Sequence, residues 1–261
     1  FKEWNFKGRY PALLEDPVHG KEARKLFDDA ETMLKQIVDQ KLLKAQAAYG
    51  IFDARAEKED VFIGETRFCF LRNQEEGRDE NPCLSDFVSS EKTDFMGLFA
   101  VSMIDNDPEL LRTWKSENKE YELMMFGILS NRLAEAFAEF LHEKVRKETW
   151  GYASGEELSP ADMLREKYKG IRPAPGYPAC PDHSEKAKLF EVLKVEENLD
   201  IRLSDSHMMD PLPSVCGYYF AHADAHYFNL GKIDLDQLEN YAQRKNISVE
   251  ECRKLLIMNV K

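Results

Sequence analysis

No apolar run in this sequence approaches the roughly 20 residues a helix needs to cross a bilayer, so a membrane-spanning helix is not expected. Glycine is sparse, 13 of 261 residues, and none of it forms a G-x-G-x-x-G turn after a strand or a phosphate-cradling P-loop. That argues against dinucleotide-binding dehydrogenases and Rossmann-type methyltransferases. A G-x-S-x-G nucleophile elbow and an H-E-x-x-H zinc helix are also missing. The cysteines are few and irregularly spaced (Cys69, Cys83, Cys180, Cys216 and Cys252), which does not suit a disulfide framework. The first residues, Phe1-Lys2-Glu3-Trp4, carry no secretory pattern, so a reducing cytoplasm is the expected compartment. The same start, without methionine, reads as a fragment of a longer polypeptide. Basic residues are in deficit, 36 against 48 acidic ones, and a net charge of -12 repels phosphate backbones. Nucleic acid is not an expected partner.

What is present is an ordinary globular alternation of helical and extended segments. Apolar residues recur at steps of three and four over 22–46, which predicts a helix. Residues 47–52 and 61–71 are β-branched and aromatic and predict strands, followed by a charged exposed loop over 72–81. The unbroken apolar run 95–104 predicts a strand buried on both faces. Asp107-Pro108 caps a helix, and the strongest helix runs over about 118–149. Leu129, Leu133, Ala136, Phe137, Phe140 and Leu141 form its expected apolar stripe, with Tyr121, Met124 and Ile128 opposite. Ser159-Pro160 opens a short helix expected to end at Gly170. Capping boxes at Asp182/Glu185, Asp234/Gln237 and Ser248/Glu251 predict three more helices, the first running to about 197, with Asn246 as a left-handed stop. Strands are expected at 217–221 and 227–233. Without regular strand–helix alternation the fold class is α+β, one domain over 1–261 with an antiparallel or mixed sheet.

The most unusual stretch is 170–183. Prolines 173, 175 and 178 fix the backbone and leave carbonyls free, while Gly176 permits a close approach or a positive φ. Arg172 can grip a carboxylate with two hydrogen bonds, and Tyr177 offers a flat face with a hydroxyl. The loop suits a zwitterionic or planar ligand, or it is a structural turn packed on the core; the residues leave both open. Cys180 and His183 have a C-x-x-H spacing, but no paired cysteines complete a zinc site, and zinc is not expected. His183 fits a hydrogen-bonding place in the first turn of its helix; His222 and His226 fit an exposed loop. Glu135 lies about 200° around the long helix from Leu133, so it is either an exposed glutamate or a carboxylate that meets a cation. Tyr227-Phe228 reads as a core aromatic pair by default.

The run Gly-Ile-Arg-Pro-Ala-Pro-Gly-Tyr-Pro-Ala-Cys-Pro-Asp-His-Ser-Glu-Lys, from Gly170 to Lys186, resembles the signature loop of the activation domain of cobalamin-dependent methionine synthase. The resemblance extends over essentially the whole chain, through Gly8 to Pro11, Cys83 to Val88, Asp94 to Val101, Arg132 to Glu143, Tyr227-Phe228 and Asp236 to Ala242. It implies a C-shaped α+β domain around a twisted antiparallel sheet flanked by helices, one of them long and central. It implies that the domain binds S-adenosylmethionine and offers its methyl to inactivated cobalamin held by another domain of the same polypeptide. An electron comes from flavodoxin or an equivalent reductase, and S-adenosylhomocysteine remains.

By the same resemblance Arg172 holds the methionine moiety, Tyr227 and Phe228 line the site, and Glu135, Glu166, Ala174, Gly176 and His183 surround the ligand. Tyr177 faces cobalamin. The family also has an aspartate ligand just ahead of the segment matching Phe1, and residues 205–213 depart from its usual small-residue pattern. No catalytic acid or base is implied, because the work is placing the methyl in line with cobalt. The molecule is expected to be a cytoplasmic monomer. The alternatives are a docking module for cobalamin and flavodoxin domains that uses Arg165, Lys167 and Lys169, a reactivator of another corrinoid protein, and a zinc hydrolase built on Cys180 and His183.

Overall fold

A left-handed lysine decides where the first helix stops. The computed structural model describes residues 2–77 and 80–261; Phe1, and Arg78 and Asp79 of the expected 72–81 loop, lie outside the described residues. Helix α1 (Gly20–Gln40) ends at Lys41, which adopts φ 54° while its N–H reaches back to the carbonyls of Ile37 and Val38. Residues 43–46, expected as helix, instead begin strand β1 (Leu43–Glu57). The pattern of 22–46 fits either structure, and the long ladder that pairs Leu43 with Asp105 through Ala54 with Asp94 takes those residues into the sheet.

The expected strand at 61–71 is two strands, β2 (Asp60–Ile63) and β3 (Thr66–Cys69), because Gly64 at φ +57° turns the chain into a tight hairpin. The next segment is less exposed than its charge suggests. Asn73 is buried and donates to the carbonyls of Asn229 (2.9 Å) and Leu230 (3.1 Å), and Arg72 pairs with Asp86 at 2.7 Å.

Strand β4 (Asp94–Asp105) lies between β1 and the edge strand β7 (Ser214–Tyr219) in a curled five-stranded antiparallel sheet of order β3-β2-β1-β4-β7. Alternation along β4 feeds two separate cores. Met96, Leu98 and Ala100 join Cys216, Tyr218 and Phe220 against Leu189, Phe190 and Leu193, while Phe99 and Val101 join Tyr219 against Ala138 and Leu141.

Helix α2 (Pro108–Ser116) starts as expected, with the Asp107 side chain accepting from the Leu110 N–H at 3.1 Å. Helix α3 (Glu120–Lys144) continues through one π-type turn, Val145–Thr149. Its buried stripe differs from the expected one. Phe126, Ser130, Ala134, Ala138, Leu141 and His142 face inward, whereas Leu129 and Leu133 are half-buried and Phe140 is exposed. Small side chains let the helix axis approach the sheet, so size rather than hydrophobicity marks the packed face.

Helix α4 (Pro160–Met163) is capped by Ser159 but stops well before Gly170. Beyond it Glu166 takes φ 55°, a left-handed turn incompatible with helix. Helix α5 (Lys186–Leu193) follows a 3-10 turn, and Lys194 at φ 49° separates it from α6 (Val195–Leu199), so the expected single helix to about 197 is broken. Asp182 caps this start by accepting from the Ser184 N–H (2.8 Å), but Glu185 does not close the box: it accepts from the Cys69 N–H at 3.0 Å. Strands β5 (Arg202–Leu203) and β6 (Met209–Asp210) form a small separate ribbon.

Residues 227–233 are not a strand. Their backbone is satisfied by loops, Leu230 N–H by Pro178 and Ile233 N–H by Asn259. Helices α7 (Leu235–Lys245) and α8 (Val249–Leu255) flank the left-handed Asn246 (φ 56°), with Ser248 capping Glu251. The box expected at Asp234/Gln237 is absent: Asp234 pairs with Lys261, and Gln237 clasps the Arg72 backbone. All five cysteines are buried free thiols, and among the described residues no helix is long and apolar enough to cross a membrane.

Candidate functional site

The proline-studded loop is hung on the free edge of β7. Ile171 exchanges backbone hydrogen bonds with Phe220 (3.0 and 3.1 Å), and the Tyr218 N–H donates to the Pro173 carbonyl at 2.9 Å. Proline gives the strand an acceptor and asks for none in return, which suits an edge. Gly217 makes the approach feasible, since a Cβ there would lie 2.5 Å from the Pro173 oxygen. Inside the loop the Gly176 N–H donates to the Cys180 carbonyl (2.8 Å), and the Cys180 thiol donates to the Ala174 carbonyl (3.0 Å). Of the two readings open at the sequence level, the packed turn is seen directly; the loop also walls a cavity.

Gly176 is needed twice over. It stands at φ +98°, and a Cβ would meet the His183 ring at 2.1 Å. Gly176→Ala is therefore expected to lose about 1–3 kcal/mol of stability and to displace His183. Urea unfolding measures this, and an unchanged midpoint would show that the contact is loose.

The cavity beside the loop has a volume of about 400 Å³. Arg172, Ala174 and Tyr177 come to it from the loop, Glu135 and Glu139 from α3, Glu166 from the left-handed turn, and Tyr227 and Phe228 from the segment after β7. A second cavity of about 310 Å³ shares Glu135, Ala174 and Tyr177 with the first and is lined further by His183, Lys186, Met208, Met209 and Leu212. The divergent 205–213 segment thus rims the second cavity. Gly176 lines neither; it makes room for His183. Tyr177 is 58% exposed at the junction of the two.

Several side chains are held in place by neighbours. The Arg172 side chain is 17% exposed, with the Glu139 carboxylate 3.7 Å from its guanidinium. The Arg172 N–H donates to the Tyr227 hydroxyl at 2.9 Å, which lies 3.2 Å from the Tyr168 hydroxyl. Burial and the adjacent Tyr227 push the Tyr168 phenol well above its ordinary pKa, so it stays protonated. Behind Tyr168 the guanidinium of Arg146 lies 4.5 Å from the ring centroid and pairs with Glu156. Phe99 stacks on Tyr219 (4.6 Å), which stacks on His142 (5.0 Å) to form the base of the wall. Burial, then Arg146 and Arg172, hold His142 well below the usual histidine range, so it is neutral.

Sequence reasoning missed Glu139, Tyr168, Phe99 and Lys186. Glu139 could have been found, because it lies one helical step of four from Glu135 and shares its face. Cys180 and His183 do not make a metal site. The thiol is spent on Ala174, and burial drives its pKa well above the ordinary thiol value. His183 Nδ1 is taken by Lys186 at 2.8 Å. Among the described residues no group of three His, Cys, Asp or Glu side chains could hold a metal ion. His222 and His226 are exposed, as expected, and Lys167 of the basic trio is paired with Asp162 at 2.7 Å.

One guanidinium, three carboxylates and several aromatic faces around an open cavity suit a ligand that carries a carboxylate, a cationic centre and an apolar part. Among the described residues no serine, cysteine or histidine lines the first cavity, which is walled instead by acidic, aromatic and apolar side chains around Arg172. A family model described as "Vitamin B12 dependent methionine synthase, activation domain" matches residues 1–246. The chain is also similar to a crystal structure of the MetH reactivation domain bound to AdoHcy. The two are 42% identical, with a TM-score of 0.92 over 100% of this chain and 84% of that one.

Proposed function

Because the chain belongs to the family of vitamin B12-dependent methionine synthase activation domains, we propose that its paired cavities bind S-adenosylmethionine and present the methyl group for remethylation of cobalamin. The observation that carries this is the placing of Arg172, three carboxylates and the Tyr168–Tyr227 wall around one cavity. Arg172 takes the ligand carboxylate. Glu135, Glu139 and Glu166, with the aromatic faces, supply the negative surroundings that an amine and a sulfonium need. Phe228 and Ala174 fill the apolar remainder.

Cobalamin bound by another domain would be the methyl acceptor, and this chain would supply the oriented donor. Tyr177, exposed at the junction of the cavities, is the side chain that faces it. The chain's own contribution is orientation, which is worth several kcal/mol when a transfer becomes effectively unimolecular. The family is that of a multidomain B12-dependent enzyme. Within it we assign 1–261 as one domain, monomeric and cytoplasmic, docking on the cobalamin-binding domain of the same polypeptide with flavodoxin or an equivalent reductase as electron donor.

Calorimetric titration with S-adenosylmethionine tests the assignment. One saturable site is expected, with S-adenosylhomocysteine competing for it. A flat titration at about millimolar ligand, equivalent to less than about 4 kcal/mol of binding, would overturn it.

A further inference from the structure

Lys186 is a buried lysine without an acidic partner. It is 5% exposed, and among the described residues no carboxylate pairs with it. Its ammonium donates instead to His183 Nδ1 (2.8 Å) and to the His207 carbonyl (3.0 Å). Lysine has only donors, so the first contact makes Nδ1 an acceptor and puts the proton of neutral His183 on Nε2. The second contact reaches the turn between β5 and β6, whose continuation through Met208, Met209 and Leu212 rims the second cavity. His183 and Lys186 line that same cavity, and Nε2 has no protein partner among the described residues.

We propose that Lys186 is a positioning residue for ligand binding: it fixes His183 as an Nε2–H donor facing the second cavity and fastens the 204–213 segment beside it. This rests on the reading that the cavities take S-adenosylmethionine or S-adenosylhomocysteine. The Cε1 edge of the His183 ring packs on Gly176, where only a hydrogen atom fits, so tautomer and orientation are both set before a ligand arrives. A free Nε2–H offers one hydrogen bond to an acceptor and adds no positive charge next to a sulfonium.

The charged and titratable groups around the ring are Lys186 and Asp182 on its own segment, His207 on the neighbouring turn, and Arg132 and Glu135 across the cavity. Burial first, then Lys186, depress the His183 pKa below 6.5; Asp182 opposes them. Ligand affinity in the wild type should therefore be flat as pH falls from 8 to about 6.5.

Nitrogen NMR of histidine-labelled protein without ligand reads the tautomer directly, and the wild type must show His183 as Nε2–H near neutral pH. A proton on Nδ1, or an imidazolium, overturns the proposal whether or not any variant folds. In Lys186→Met the tautomer is expected to become mixed and affinity for S-adenosylhomocysteine to fall about tenfold, roughly one hydrogen bond. The onset of pH dependence should also move to higher pH than in the wild type, because losing Lys186 removes one of the causes that depress the ring while burial remains. A purely structural lysine would lower affinity equally at every pH. Wild type that binds normally while Lys186→Met keeps both tautomer and affinity removes only the role of Lys186. Wild type that shows the expected tautomer yet binds nothing removes the ligand reading, and this role with it.

Discussion

Arg172→Ala is expected to weaken S-adenosylmethionine binding by roughly 2–5 kcal/mol, about thirty-fold to several thousand-fold, while leaving the fold almost as stable as before. The two halves of that expectation come from different contacts. In the free protein the guanidinium pairs, among the described residues, with Glu139 at 3.7 Å, and that carboxylate is 39% exposed. A pair so long and so wet contributes about 0–1 kcal/mol. On the proposed reading, the same guanidinium would be shielded from water by the ligand and would meet its carboxylate. Truncation then leaves a desolvated anion facing three glutamates. Calorimetry together with thermal unfolding separates the two: affinity should collapse with little change in melting temperature. Equal affinity would remove Arg172 from the site, and a large drop in melting temperature would mean that its role is structural.

Lys245→Met is expected to cost about 3–5 kcal/mol of stability, the largest loss from any single change considered. Lys245 donates to Asp182 (2.6 Å) and to Glu185 (2.6 Å), and all three side chains are less than a tenth exposed. Tyr241 adds a hydrogen bond to Asp182 at 2.8 Å, and Lys188 a second cation to Glu185 at 2.8 Å. Burial pushes the Asp182 carboxyl up, but the Lys245 ammonium and the hydrogen bonds from Lys245 and Ser184 outweigh it and hold the group below its ordinary 3.8. Its contribution is thus present above about pH 4 and lost as pH falls through the lower folded value.

Without Lys245 the balance reverses at Asp182. Burial then raises the folded pKa above the unfolded one, and protonation favours the folded state. The deficit of Lys245→Met should therefore shrink as pH is lowered from 7 towards 4, which urea melts across that range would show. A deficit constant with pH would mean that the lost contacts are packing rather than charge. This network anchors the start of α5, so it also supports His183 and the loop before it.

Much of the architecture could be read from local chemistry. Asp107, Ser159 and Ser248 announce their helices because a short polar side chain answers an orphan N–H within three residues, a purely local event. Asn246 is legible as a stop for the same reason. The apolar run 95–104 reads as a strand buried on both faces because it leaves no polar alternation. What failed was whatever depends on distant partners. The β1 ladder claimed residues 43–46 from a helix, and 227–233 lost its strand character to loops that satisfy its backbone elsewhere. The stripe on α3 was misjudged because large apolar residues were weighted above Ser130, Ala134 and Ala138, the residues that fit against the sheet.

The site shows the same division. Arg172, Gly176 and Tyr177 stand out because a rigid proline segment is locally strange, and the resemblance to a known family supplied Glu135, Glu166, His183 and the Tyr227–Phe228 pair. Glu139 and Tyr168 went unnoticed since their roles exist only where α3 meets the loop. Lys186 looks like an ordinary helical lysine until its burial without a counter-ion is seen. Charge networks such as Lys245 with Asp182 join residues about sixty positions apart, and no pattern in the chain announces them.

The most direct test of the account is a crystal structure of the chain at saturating S-adenosylhomocysteine. The ligand is expected in the joined cavities, its carboxylate on the Arg172 guanidinium and its sulfur turned towards the opening beside Tyr177. Cavities filled only by solvent at saturating ligand, or a ligand held elsewhere on the surface, would contradict it.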